Sequence, residues 1–129
     1  KKEIILMLLK NKWNLKKLSK TIHPLVRKKM NLFLKKNKFK KIVVLDIPLY
    51  LENKLEKKND IFVFVDAKKN TISTRLKKRK NFNHKIYSFL KKIQKSTEFK
   101  KKKSTYIIKN DFKKNSAKRE VKNILKKIL

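Results

Sequence analysis

His23 and Arg27 stand four residues apart around Pro24. A helix starting near that proline turns an imidazole and a guanidinium to the same side. Such a pair can clamp a phosphate or another anion, or it can be a helix-capping histidine beside one more surface cation. Asp46 ends the apolar run Val43-Val44-Leu45 and precedes Ile47-Pro48. A carboxylate at a strand end can orient Mg2+ through water or accept a hydroxyl proton, and it can also simply initiate a turn. Glu52, in the loop that follows, either caps that loop or contacts a substrate. Arg75 and Arg79 are again four apart and lead into the polar run KKRKNFNHK, residues 77–85. Arginines on a mobile lid can close over a nucleoside triphosphate and neutralise charge on a transferring phosphoryl group. A basic helix end is also ordinary capping. Asn110 can hydrogen-bond a purine edge or make a turn.

Composition narrows the chemistry. The 129 residues contain no cysteine, so disulfides, thiolate metal sites and a cysteine nucleophile are excluded within them. Two histidines and no cysteine are too few for a zinc site. There is no glycine, so neither GxxxxGK[ST] nor GxGxxG is present. The longest apolar run, Ile4 to Leu9, is too short to span a membrane. At 40% apolar residues the chain can build a globular interior despite a net charge of +32. That charge would attract nucleic acid. Yet 37 of the 41 basic residues are lysine, spread through every segment, and aromatic residues are not interleaved with them as stacking platforms. A solvated surface and no specific nucleic-acid or membrane partner is the expectation. A basic nucleic-acid-binding remnant without enzymatic activity is the alternative. The chain begins Lys-Lys rather than with methionine, and position 1 is expected not to be a natural start.

The elements that must position these residues follow from periodicity. Helical spacing covers Ile4 to Leu9 and continues from Trp13 to Ile22. Pro24 then breaks the chain or restarts it as the first residue of a helix over about 24–37, with Val26, Met30, Phe33 and Leu34 inward. KIVVLDI (41–47) and DIFVFVD (60–66) read as strands covered on both faces, and TYIIKN (105–110) as a shorter third. Helices are expected over about 68–79 and 84–95, and from Ser116, as cap, to Leu129. Strands alternating with helices predict an α/β fold with a parallel sheet, in which ligands bind beyond the carboxyl ends of the strands. Asp46, Asp66 and Asn110 all fall on that rim. His84 has no partner nearby in sequence and is expected at the surface.

Taken in order, these segments resemble the dephospho-CoA kinase family. HPLVR (23–27) matches its HPxxR segment, and VLDIPLYLE (44–52) matches its V-x-D-x-P-L-x-x-E strand and loop. FVFVD (62–66) and RLKKR (75–79) match the next strand and the start of the lid. Gln94 and Lys100 match a glutamine and a lysine six residues later, and TYIIKN matches the last strand, with Thr105 in place of the usual acid. The match covers essentially the whole chain.

The resemblance implies ATP-dependent phosphorylation of the ribose 3′-hydroxyl of dephospho-CoA, the last step of coenzyme A synthesis, with ATP as donor and Mg2+. It implies a monomer in the cytoplasm with a P-loop kinase-like three-layer α/β fold. Residues 1–129 would be one partial domain, with a helical substrate-binding region over about 10–40 and a lid over about 75–100. His23 and Arg27 would face dephospho-CoA, Asp46 would sit near the reacting phosphates, and Leu49 to Glu52 would line the acceptor side. Arg79 would be the lid arginine on ATP, and Asn110 would lie near the adenine. The family opens with a glycine-rich P-loop and an aspartate thought to supply the base; both would fall within roughly 70 residues before position 1. The strand carrying that loop lies in the family between those at 41–47 and 60–66. Two departures concern turns. Lys80-Asn81 stand where the family has Asp-Gly, and Phe112 stands where it has glycine after the Asn-Asp pair. Asn81 can take a left-handed backbone; Phe112 does so only at a cost.

Overall fold

A computed structural model describes residues 3, 7 and 11–129, and the chain divides into two units, Lys1–Asp46 and Ile47–Leu129. Helix α1 of the first unit runs unbroken over Lys12–Lys36 with Pro24 inside it. The expected break at Pro24 does not occur. A proline has no N–H for the Lys20 carbonyl and crowds the preceding turn, a cost of about 3 kcal/mol that normally ends a helix. Thr21, Ile22 and His23 before it are weak helix formers, but Leu25, Arg27, Lys28, Lys29 and Met30 after it are strong ones, and the helix continues through them. Asn37 ends the helix by folding back: its N–H donates to the Phe33 and Leu34 carbonyls, and its Nδ2 donates to the Phe33 oxygen at 2.8 Å. Of the expected inward residues, Met30 is buried and Val26 and Leu34 are half-buried, whereas Phe33 is exposed. The expected helix over residues 4–9 lies, apart from Met7, outside the described residues.

Residues 42–47 are not a strand, which corrects the reading of KIVVLDI. An apolar run becomes a strand only when another backbone pairs with it. No described strand does so, and Val44 is 80% exposed.

In the second unit β1 (Val63–Asp66) and β2 (Tyr106–Lys109) form a two-stranded parallel sheet with Val63 opposite Tyr106 and Asp66 opposite Lys109. Parallel neighbours need a long connection. It is made by α2 (Lys69–Lys77), α3 (His84–Ile93) and α4 (Thr97–Lys103). The last helix, α5 (Lys114–Ile128), packs on β2, where Ile108 is buried. Full cover on both strand faces was expected. Instead burial alternates along β1, and Val63, Val65 and Ile107 stay exposed, because two strands and the helices around them leave one side of each strand open among the described residues.

Caps explain the boundaries. Asn83 accepts from the Ile86 N–H and starts α3. Ser96 accepts from the Phe99 N–H and starts α4, a helix the sequence reading lacked because its body is a lysine run with little apolar period. Ser116 is not the cap of α5. It lies in the first turn, where its hydroxyl bonds Asp111 Oδ1, and the cap position is Lys113.

Candidate active site

His23 and Arg27 lie on α1, one turn apart, with the imidazole half-buried and the guanidinium exposed. A helix lines up side chains at this spacing, so the continuous α1 puts them on one face whether or not Pro24 starts a helix. Asp46 closes the first unit as an exposed carboxylate.

In the second unit, residues 48–54 form a compact turn. Leu49 (φ 58°) and Lys54 (φ 50°) both adopt left-handed backbone, and the Asn53 N–H donates to the Leu49 carbonyl at 3.0 Å. Two side chains anchor the turn. The Tyr50 hydroxyl donates to Asp60 Oδ2 at 2.8 Å, and its ring lies 6.0 Å from that of Phe62. Burial and the Asp60 carboxylate push the Tyr50 phenol up to about 12. Glu52 has partners of its own. Its Oε1 accepts from the Lys95 N–H at 2.8 Å and pairs with Lys100 Nζ at 3.0 Å. The Glu52 side chain is only 10% exposed and that of Lys100 23%. Burial alone would raise this carboxyl; the hydrogen bonds from Lys100 and the Lys95 amide outweigh it and hold the group below the ordinary glutamate value.

The turn after β2 is a second cluster. Asn110 Oδ1 accepts from the Phe112 N–H at 2.8 Å, so the amide oxygen shapes the turn. Phe112 sits at φ 63°, the left-handed conformation for which glycine is suited, and the Arg75 guanidinium lies 4.4 Å from its ring centroid. Asp111 accepts from the Lys113 N–H and the Ser116 hydroxyl, and these bonds, the serine's first, lower its carboxyl. Arg79 is exposed just past the end of α2, where its N–H donates to the Leu76 carbonyl. Asp66, at the end of β1, pairs with Lys101 at 2.6 Å.

Leu49 and Glu52 are thus brought onto one turn, and Glu52 meets Lys100. At the Asn110 turn it is Arg75, not Arg79, that makes contact. The resemblance marks Lys100, but its pairing with Glu52 and the role of the Lys95 amide escaped the sequence, since no local pattern ties either to a glutamate 43 residues from Lys95.

A family model described as dephospho-CoA kinase matches residues 3–116. The dephospho-CoA kinase of Bartonella henselae is 38% identical over 104 residues, 79% of this chain and 53% of the relative. Those of Bacillus anthracis and Wolbachia pipientis wMel are 36% and 32% identical over 114 residues, covering 85% and 87% of this chain. They are covered over 56% and 58% of their own lengths, so the chain spans about half the length of the curated relatives it matches.

Proposed function

We propose, since the chain belongs to the dephospho-CoA kinase family, that it carries the acceptor-binding and lid-bearing part of an enzyme that phosphorylates the ribose 3′-hydroxyl of dephospho-CoA from ATP. What supports this most is the family match over residues 3–116, which takes in HPLVR, VLDIPLYLE, RLKKR and TYIIKN in order.

In such a reaction the 3′-oxygen forms a bond to the γ-phosphorus as the bond from that phosphorus to the β,γ-bridging oxygen breaks. The hydroxyl proton leaves to a base, and ADP departs. Catalysis is then mostly positioning and charge stabilisation. His23 and Arg27 hold an anionic group of dephospho-CoA, the guanidinium supplying a charge-assisted, two-pronged contact. Leu49 to Glu52 shape the acceptor side. Arg79, exposed beside the polar run, meets the phosphates of ATP as the lid closes. Asn110 fixes the turn beside the adenine. Asp46 is a hard oxygen donor in contact with solvent, which suits Mg2+, an ion that keeps most of its waters and takes one or two carboxylates. Mg2+ would supply charge neutralisation on the phosphates, and Asp46 would hold it through water. The protein is proposed to be a cytoplasmic monomer; no described helix is long and apolar enough to cross a membrane.

These 129 residues have no glycine and so no loop of backbone amides to cradle the β- and γ-phosphates. Alone they are proposed to be inactive. The test is formation of coenzyme A from ATP and dephospho-CoA, followed by chromatography, for the complete protein carrying these residues and for residues 1–129. The reading expects product from the former and none above the no-enzyme control from the latter. A folded complete protein that makes none contradicts the kinase reading, and turnover by the 129 residues contradicts their proposed inactivity. The net charge of +32 supports one second reading, nucleic-acid binding. Retention of one sequence over competitors at about 150 mM salt would favour it, whereas binding that simply collapses with salt is the behaviour of a solvated lysine surface.

A further inference from the structure

We infer that Glu52 is a positioning residue that locks the 48–54 turn to the α3–α4 junction through Lys95 and Lys100, and is not itself a ligand of substrate. The inference rests on the proposed reading for what the turn and the lid segment do, and on geometry for the lock.

One carboxylate oxygen takes two donors from one short segment. The Lys95 N–H lies between Gln94, where α3 ends, and Ser96, which caps α4. Lys100 projects from within α4. A single glutamate therefore fixes both the bend between two helices and the orientation of the second. The Glu52 side chain is nine-tenths covered and its carboxylate has two protein donors, which favour its charged form. Such a group is poorly placed to serve a ligand, because a new contact would have to break one already made in a partly dry site. The other wall of the turn is anchored independently, by Tyr50 on Asp60. On either side of these two anchors Leu49 and Lys54 are held left-handed, a conformation a non-glycine residue keeps only when its surroundings impose it. Releasing Glu52 lets the turn relax while Tyr50 still holds one side. The acceptor-side turn and the helices following the lid arginine thus move as one piece.

The test uses the complete protein with Lys100→Met, Glu52→Gln, Glu52→Ala and the double variant Glu52→Ala/Lys100→Met. Amide hydrogen exchange without substrate is read at Lys95, with Ile108 in β2 as a reference for the fold. Steady-state kinetics are read for each substrate. Lys100→Met is expected to speed Lys95 exchange about tenfold or more with Ile108 unchanged, and to raise the dephospho-CoA KM with a smaller effect on the ATP KM. Glu52→Gln, which keeps an acceptor for the Lys95 amide, should fall between the parent and Glu52→Ala. The double variant should be no worse than Glu52→Ala, since both act through one contact. If Lys100→Met leaves Lys95 exchange and the dephospho-CoA KM at parent values while Glu52→Gln raises that KM, Glu52 touches substrate and the inference is overturned. Faster exchange with unchanged kinetics in an active enzyme overturns the positioning role. The exchange arm stands even if the protein proves not to be a kinase, so that failure is separable from failure of the lock.

Discussion

Two stretches of the second unit bend left-handed without a glycine, and they hold the bend by different means. In the 48–54 turn Leu49 and Lys54 sit among backbone bonds of the turn itself, and the turn is also tied outward, Glu52 to Lys95 and Lys100 and Tyr50 to Asp60. In the turn after β2 the bend at Phe112 is held mainly from within: Asn110 and Asp111 accept from the amides two residues on. The Arg75 guanidinium, over the Phe112 ring, adds a contact from α2. Each left-handed non-glycine residue costs about 1–2 kcal/mol. Local bonds offset such a cost but shape only the turn itself. Long-range bonds also tie the turn to another segment, so the same strain serves to position two parts of a site. In a chain with no glycine, the first kind of turn is the one whose loss spreads.

Loss of Glu52 should have the largest effect. Glu52→Ala should cost about 2 kcal/mol in urea unfolding, because a charge-assisted pair is lost and Lys100 and the Lys95 amide lose their acceptor. The effect is pH-dependent. The folded-state carboxyl lies below its ordinary 4.5, so its contribution is present above that value and fades as pH falls through the lowered folded value. The parent should therefore lose its advantage over Glu52→Gln only in acid, which a pair of unfolding curves at pH 3 and 7 measures.

Tyr50 gives a smaller effect of opposite sense. Its phenol is raised from 10.0 to about 12, so the folded state holds the proton longer and this contribution is lost as pH rises from 10 through about 12. Tyr50→Phe should remove the phenolate absorbance step near 12 and cost about 1 kcal/mol at neutral pH. A last phenolate step unchanged in the variant would mean that Tyr50 is not the hydroxyl on Asp60.

The smallest effects sharpen the contrast at the strained residues themselves. Lys54→Gly removes the left-handed penalty from an exposed side chain and should stabilise by about 0.5–1 kcal/mol after the added chain entropy. Phe112→Gly gains the same relief but loses the Arg75 contact, worth about 0.5–1 kcal/mol at an exposed site, so its net change should be close to zero. Melting curves of the two variants, and of Phe112→Gly with Arg75→Ala, separate these terms.

Much of this was legible in the chain. The positions of the paired strands at 63–66 and 106–109 and of helices α2, α3 and α5 fall close to where the sequence puts them, although Ile72, Leu90, Val121 and Leu125 stay exposed. Where the sequence misled, context beyond the local pattern decided. Pro24 sits within a helix that the strong helix formers after it continue. KIVVLDI has strand composition but no described partner to pair with. Ser116 is not the cap because helical backbone already begins at Lys114, and its hydroxyl bonds Asp111 and the Lys113 carbonyl instead. At the candidate site, HPLVR and RLKKR were visible as spacings and Lys100 through the resemblance, whereas the tie of Lys95 and Lys100 to Glu52 was not, since pairing them requires the fold. The cost at Phe112 was readable from residue type; that the chain accepts the left-handed conformation there was not.

The central claim is that this chain brings the acceptor clamp and the lid arginine to a phosphoryl transfer. Steady-state kinetics of the complete protein, varying ATP and dephospho-CoA in turn for Arg27→Ala and Arg79→Ala, address it most directly. Arg27→Ala should raise the dephospho-CoA KM at least about tenfold, as expected for loss of a charge-assisted contact of about 1.5–3 kcal/mol. Arg79→Ala should lower kcat together with ATP affinity, because a lid arginine strengthens its contact as charge develops on the transferring group. If both folded variants turn over dephospho-CoA with the parent's KM and kcat, the account is contradicted, and HPLVR is only part of a helix.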